Sequence, residues 1–394
     1  MDDIEVLVCD DSALMRNLIS RIINETEGLH VVGTAMNGQF AVDKIPYMKP
    51  DVVVLDIEMP VMNGIEFLKA RNARGWKIPV IILSSIATKG AAVTMECLEL
   101  GASDFITKPG GSASADVVTV SYQLVELISS YGSAYARSKG KNPYAPDFFA
   151  HQIKLKNAER FVAQKKGGDA VSAEKELPPA LWHPMSEKNK EPAVIKPVRE
   201  SGRIEIIAIG ISTGGPNALR DVFKNIDANL KQPILVVQHM PPGFTTEFAR
   251  SLDRICPLSV KEAEDGDLIE SGHIYIAPGN YHIYVEKRIN GDVIRLSQDP
   301  ARNGHRPSAD YLFESVAKKY QNHALGVIMT GMGRDGAAQL AEMRKQGAWT
   351  LGQDEQSAIV YGMPRVAWEL GAVQKQVPLE NMAEAINALA RENY

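Results

Sequence analysis

Cysteine is scarce in this 394-residue chain: Cys9, Cys97 and Cys256 are three in number, far apart and without a CxxC spacing. Such a set builds neither a disulfide framework nor a cysteine-held zinc site, and it suits a reducing compartment. Long apolar runs are missing too. No stretch approaches the roughly 18–20 apolar residues that span a bilayer. The opening "MDDIEVLVCDD" lacks the basic start and long apolar core of a secretory leader. A cytoplasmic location without membrane insertion is expected. An excess of one charge is also lacking, at net −5, so bulk electrostatics do not point to nucleic acid. A basic recognition helix is absent from the C-terminal half, where "KQPILVV" and "GMPRVAWEL" have neither the turn nor the charge pattern. What is there is ordinary globular material, 45% apolar and 23% charged, ample for more than one core.

Three textures follow one another along the chain. In residues 1–132 the apolar runs 5–9, 52–56, 80–84 and 104–107 alternate with stretches of helical periodicity such as "SALMRNLISRIIN" (12–24), and a last helix lies near 115–131. Continuous apolar strands alternating with helices imply a parallel sheet covered on both faces. Residues 133–203 have scattered Pro and Gly, little periodicity and 14 Lys/Arg against 8 Asp/Glu, and read as a mostly extended, flexible linker. Within it, 148–155 ("FFAHQIKL") and 178–184 (containing "PALWHP") are apolar enough to dock, or are incidental hydrophobes in a tether. From 204 to 394 alternation resumes. Strands are predicted at 204–209, 233–237, 273–277, 281–286 and 325–329, and helices at 216–225, 308–319, 336–346 and 379–391. The fold class is α/β, doubly wound, with a β-rich insertion around 259–297.

Asp10 and Asp11 follow the first strand and Asp56 ends the 52–56 run, so three carboxylates converge at one rim of the N-terminal sheet. Carboxylates so placed repel one another unless a hard cation such as Mg²⁺ joins them, and a pocket of that kind accepts a phosphoryl group. Ser84 and Lys108 end the two later strands and bring a hydroxyl and an ammonium to the same crevice. Any one Asp at a strand end is explained equally by a helix N-cap; five polar residues at four successive strand ends are not.

The stretch "IEIIAIGISTGGPNAL" (204–219) contains G-x-S-x-G through Gly210, Ser212 and Gly214. It fits neither phosphate-cradling glycine pattern. Placed between a strand and a helix, it exposes a serine hydroxyl beside free backbone N–H groups, or else merely caps the helix. A nucleophilic serine needs a base. His239 ends the next strand, in "PILVVQHMPPGF", and should emerge beside Ser212; His305 in "NGHRPSADYLF" is the rival. The base needs a carboxylate. Asp335, in "VIMTGMGRDGAAQL", stands in the same relation to the sheet, or caps the helix from 336; Asp310 and Asp354 are alternatives.

Two resemblances sharpen this. "CDDS" (9–12), "VVVLDIEMPVMNGIEFL" (52–68), "ILSS" (82–85) and "GASDFITKP" (101–109) resemble the receiver domain of two-component response regulators, over residues 4–131. The resemblance implies a flavodoxin-like fold with a parallel five-stranded sheet and Asp56 as phosphoacceptor. It implies Mg²⁺ held by Asp10, Asp11, Asp56 and the Glu58 backbone carbonyl, Ser84 and Lys108 as the phosphorylation switch, and a cis peptide before Pro109. "GISTGGPNAL", "VVQHMPPGFT", "IAPGNYH", "HRPSADYLF", "TGMGRDGA", "GAWTLGQDEQSAIVYGMP" and "VPLENMA" resemble the chemotaxis protein-glutamate methylesterases, in register over 204–394. That resemblance implies Ser212 as nucleophile, His239 as general base and acid, Asp335 as the orienting carboxylate, and no cofactor for ester hydrolysis. The backbone N–H groups of Thr213 and Met332 are oxyanion donors on turn geometry alone. The substrates implied are glutamate methyl esters, and particular glutamines, of chemotaxis receptors; the phosphodonor implied is a histidine kinase. A non-catalytic phosphorylatable adaptor that docks on receptors is the competing class of function.

Overall fold

A computed structural model describes residues 1–85, 88–108, 114–145, 148–149 and 192–394. The chain divides into two compact units, Met1–Glu176 and Leu177–Tyr394. Among the described residues no helix is long and apolar enough to cross a membrane.

The first unit carries strands β1 (Ile4–Cys9), β2 (Leu29–Ala35), β3 (Val52–Asp56), β4 (Val80–Ser84) and β5 (Asp104–Thr107). They form one parallel sheet in the order β2-β1-β3-β4-β5. Helices α1 (Ala13–Asn24), α2 (Gly38–Met48), α3 (Gly64–Ala73), α4 (Thr88–Glu99) and α5 (Ser114–Ser138) connect and follow the strands. The predicted runs coincide with β1, β3, β4 and β5, whose inner members β3 and β4 are buried at every position. β2 did not stand out as an apolar run because it is an edge strand: "LHVVGTA" leaves His30 and Thr34 exposed. Helix starts follow local chemistry. Ser12 and Asn37 accept backbone N–H groups of α1 and α2, and Asn63 with Glu66 forms a reciprocal capping box on α3.

The 133–203 stretch is not a tether at its ends. α5 continues to Ser138, and the lysines beyond it are held by a buried carboxylate. Asp51, fully buried, pairs through Oδ1 with Lys139 Nζ and through Oδ2 with Lys141 Nζ, both at 2.8 Å, and accepts the Glu5 N–H at 3.0 Å. Asn142 N donates to Asp2 Oδ2 at 2.7 Å, and Tyr144 stacks on Phe148 with ring centres 4.2 Å apart. Phe149 is fully buried. The misreading came from Gly140, Pro143 and the lysines, which break periodicity while making specific contacts. At the other end, Ala193 N donates to Glu369 O and Val198 N to Lys345 O. A Cβ on Gly371 would come within 1.8 Å of the Ala193 carbonyl, so this strap also lies close. Residues 151–191, and with them most of 148–155 and all of 178–184, lie outside the described residues, as does Pro109.

The second unit is built on a seven-stranded sheet of β6 (Ile206–Ile211), β7 (Ile234–Gln238), β8 (Ser259–Glu262), β9 (His273–Ile276), β12 (Ala324–Ile328), β13 (Trp349–Gln353) and β14 (Lys375–Val377). The order is β14-β13-β12-β6-β7-β9-β8, and every neighbouring pair is parallel. The β-rich 259–297 stretch supplies β8 and β9 to one edge, then the antiparallel hairpin β10 (His282–Glu286) and β11 (Val293–Ser297). Helices are α6 (Gly215–Lys224), α7 (Phe244–Asp253), α8 (Ala309–Tyr320), α9 (Ala337–Gln346), α10 (Met363–Glu369) and α11 (Leu379–Glu392). From β6 the chain winds outward through β7; from β12 it winds the opposite way through β13 and β14. Right-handed crossovers then put the connecting helices of the two halves on opposite faces, while the C-terminal α11 packs on α6. The reversal point is β6 with its neighbours β7 and β12, where an open parallel sheet forms its crevice. β13, β14, α7 and α10 were not singled out in the sequence. β14 is three residues long, and β13 carries Gly352 and Gln353 within its five.

The Asp51 clamp makes a measurable claim. Asp51→Ala should raise amide hydrogen exchange across residues 139–145 while leaving β6 and β7 unchanged, read by mass spectrometry of the full chain. Unchanged protection at 139–145 would show that the clamp holds nothing.

Candidate functional site

At the carboxyl rim of the first sheet, Asp10, Asp11 and Asp56 each present a ligand oxygen within 4.8 Å of the others. Lys108 Nζ reaches Asp10 Oδ2 at 2.9 Å and Asp56 Oδ2 at 2.8 Å. Burial pushes the Asp56 carboxyl up, and the Lys108 hydrogen bond and charge work against that rise. Ile57 N donates to Asp56 Oδ1 at 2.8 Å. Asp10 Oδ2 has the lysine at ion-pair distance but accepts no well-aligned hydrogen bond, although it is fully buried. Three converging carboxylates, two of them sharing one ammonium, are a donor set that fits a hard divalent cation. Glu58 is exposed beside them. Ser84 is buried and faces α4 here: its hydroxyl lies 2.6 Å from Thr94 Oγ1 and 3.2 Å from the Ser85 carbonyl. Thr94, on α4, was not singled out by sequence reasoning.

In the second unit β12, β6 and β7 lie side by side, and each delivers one polar residue just past its end. Ser212 follows β6, His239 follows β7, and Asp335 follows β12 through the turn "TGMGRD". His239 Nδ1 is 3.0 Å from Ser212 Oγ, and His239 Nε2 is 2.8 Å from Asp335 Oδ2. Ser212 is 8% exposed and Asp335 1%.

Asp335 receives more than the imidazole. Oδ1 accepts from Ser308 Oγ at 2.6 Å, Asn303 Nδ2 at 2.9 Å and Asp310 N at 3.3 Å; Oδ2 also accepts from Ala309 N at 2.6 Å. The carboxylate therefore caps α8, not the helix that follows it in sequence. α8 needs that help because its own N-cap, Ser308, gives no side-chain cap bond. α9 starts instead at Gly336, with φ 83°, again without a side-chain cap. Burial by itself would raise the Asp335 carboxyl, but the His239 hydrogen bond and charge, then His305 and Ser308, hold it well below the usual carboxylate range. An ionised carboxylate only accepts, so Nε2 of His239 carries the proton and Nδ1 offers its lone pair to Ser212.

His305, the rival base, makes no hydrogen bond to Ser212; its ring stacks on His239 with centres 3.8 Å apart and planes 10° apart. Burial, and then the charge of His239, push its imidazole down to about 3. Asp310 accepts from Gln339 N and Asn303 Nδ2, and burial beside Asp335 pushes it up to about 6. Asp354 binds Ser357 and takes no part. Asn303 and Ser308 were not singled out, although both lie in the "NGHRPSADYLF" neighbourhood that carried His305. Thr330 fastens the serine turn to the "TGMG" turn: Thr330 O accepts Ser212 N at 2.9 Å, and Thr330 Oγ1 donates to Thr213 O at 2.9 Å. The N–H groups of Thr213 and Met332 meet no acceptor among the described residues.

The depressed His305 sets an acid-stability prediction. Free histidine titrates near ~6.5, so between that pH and about 3 the unfolded chain binds a proton that the folded chain refuses. Stability is then lost as pH falls through this window. His305→Phe removes that term, and its urea midpoint should drop less than the parent's between pH 7.5 and pH 5. Equal drops would contradict the assignment.

A CheB methylesterase family model matches residues 207–386, and a response regulator receiver domain model matches residues 6–116. A protein-glutamate methylesterase/protein-glutamine glutaminase of Treponema denticola is 54% identical, covering 100% of both chains. One of the same description from Treponema pallidum is 50% identical over 98% of this chain and 97% of its own. The crystal structure of the Thermotoga maritima CheB methylesterase catalytic domain is 36% identical, covering 48% of this chain and 99% of that one at a TM-score of 0.46. Identity of this extent over the whole length places the chain in the protein-glutamate methylesterase/protein-glutamine glutaminase family, with an N-terminal receiver domain.

Proposed function

We propose that this chain is a phosphorylation-regulated serine hydrolase that removes methyl esters from glutamates of chemotaxis receptors and deamidates particular receptor glutamines. The observation that supports it best is the hydrogen-bonded series Ser212–His239–Asp335, at 3.0 and 2.8 Å, in a chain whose full-length relatives bear that description. Both distances are hydrogen-bond distances, and the first lies within reach for proton transfer.

On this reading, Ser212 Oγ attacks the γ-carbonyl carbon of the ester and its proton passes to His239 Nδ1. The carbonyl oxygen becomes an oxyanion beside the N–H groups of Thr213 and Met332. Collapse expels methoxide, which takes the proton from His239 and leaves as methanol. Water then gives a proton to His239 and attacks the acyl carbon; collapse returns that proton to Ser212, and the carboxylic acid departs and loses its remaining proton to solvent. Asp335 stays ionised throughout, opposing the charge on the imidazolium. A glutamine differs only in the leaving group, which departs as ammonia.

Control resides in the receiver. A histidine kinase is the phosphodonor and Asp56 the acceptor. Asp10, Asp11 and Asp56 would hold Mg²⁺ together with the Glu58 carbonyl, and when bound the ion neutralises charge that develops on the transferred group. Lys108, already paired with Asp56, stays as the counter-charge. Ser84 leaves Thr94 to meet the phosphate. The phosphate controls the hydrolase only by favouring one arrangement of the chain over another through such contacts. A non-catalytic adaptor has less support, because the hydrogen-bonded series is complete.

Ser212→Ala should reduce methanol release from methylated receptors by on the order of 10⁴-fold or more, with the thermal midpoint unchanged; undiminished release would exclude the serine mechanism. Separately, a small-molecule phosphodonor should change the release rate of the parent chain and not that of Asp56→Asn. Equal responses would remove control by the receiver and leave the hydrolase standing.

A further inference from the structure

Gln238, the last residue of β7, is 2% exposed, and its side chain turns beneath the serine loop rather than out of the sheet. Nε2 donates to the Ser212 carbonyl at 3.0 Å and to the His239 carbonyl at 3.2 Å. Its partner atom Oε1 is buried with no hydrogen bond at all. The neighbours dictate this orientation: turned over, the amide would press its oxygen against two carbonyl oxygens. The unpaired Oε1 lies over Gly215, where an added Cβ would come within 2.0 Å of it. Gly215 is not among the residues of positive φ, so space rather than backbone conformation requires glycine there.

The Ser212 carbonyl also accepts the Gly215 N–H at 2.7 Å. Two donors thus fix its direction. The Ser212–Thr213 peptide is planar and trans, so its C=O and N–H point in opposite directions. Anchoring the carbonyl under the loop aims the Thr213 N–H the opposite way, where it meets no acceptor among the described residues. Thr330 Oγ1, bound to the Thr213 carbonyl at 2.9 Å, holds the next peptide.

We infer that Gln238 is a positioning residue for ester hydrolysis: it orients the Ser212–Thr213 peptide so that the Thr213 N–H faces the oxyanion, and it ties the ends of β6 and β7 together. The inference rests on the serine-hydrolase reading proposed above. Gln238 touches no reacting atom and acts through backbone. Its loss should therefore appear in kcat and not in KM.

The test uses the full chain and methanol release from methylated receptors, with active sites counted by end-point titration with a fluorophosphonate. Gln238→Leu and Gln238→Glu should lower kcat per titrated site by ~10–100-fold, a misdirected oxyanion donor being a milder loss than a deleted one. Gly215→Ala, which leaves Gln238 in the chain but displaces its amide, should move kcat in the same direction, and it carries the test if the Gln238 variants do not fold. A role confined to structure would reduce the number of titratable sites and the melting point while kcat per site stayed at the parent value. That result, or a loss expressed in KM alone, overturns the inference. Undiminished release by Ser212→Ala would instead overturn the hydrolase reading, whatever the Gln238 variants do.

Discussion

A carboxylate taken out of water must be repaid by donors, and Asp335 is that carboxylate. It is 1% exposed and accepts five hydrogen bonds, from His239, Asn303, Ser308 and the Ala309 and Asp310 amides. Withdrawing one charge from water without such partners is prohibitive. With them the group stays ionised, and its acceptor-only character decides which imidazole nitrogen carries the proton. The same contacts cap α8. Fold and site are therefore coupled: the helix needs the anion at its N-terminus, and the anion needs the helix to remain charged beside a histidine.

The receiver applies the same logic to a different end. Its acidic rim holds Lys108 between Asp10 and Asp56 at 2.9 and 2.8 Å, so two buried carboxylates share a single ammonium there. Where Asp335 is saturated and fixed, Asp10 and Asp56 are incompletely satisfied. A saturated anion suits an orienting role, and an unsaturated acidic cluster suits one that takes up a cation. Both clusters stand at the carboxyl rims of parallel sheets, where neighbouring strands bring residues distant in sequence within a few ångströms.

Much of this was legible beforehand. The inner strands β3, β4, β6, β7 and β12 are nearly continuous apolar runs, and each ends in, or is soon followed by, a polar residue, so both the sheets and the convergence of Ser212, His239 and Asp335 could be read. Of the edge strands, β5 could be read, but β2 and β14 could not. β2 and β14 are short or half-exposed, and their residues answer to neighbours rather than to a pattern. Asp335 had been equally open as a cap for α9; it proved a cap for α8, which no local reading finds because the two segments meet only in the folded unit. The lysines at 139 and 141 looked like solvated linker charge because their partner, Asp51, lies 88 and 90 residues earlier in the chain. His305 was recognised as a candidate, but its stacking on His239 depends on a loop path that composition does not reveal.

An ionised Asp335 sets the protonation of His239. The direct measurement is ¹⁵N NMR of the full chain labelled at histidine nitrogens, at neutral pH, with the His239 signals assigned by their disappearance in His239→Gln. The prediction is a proton on Nε2 and an unprotonated Nδ1. A proton on Nδ1 in the neutral imidazole would contradict it, because the nitrogen facing Ser212 would then have no lone pair to offer.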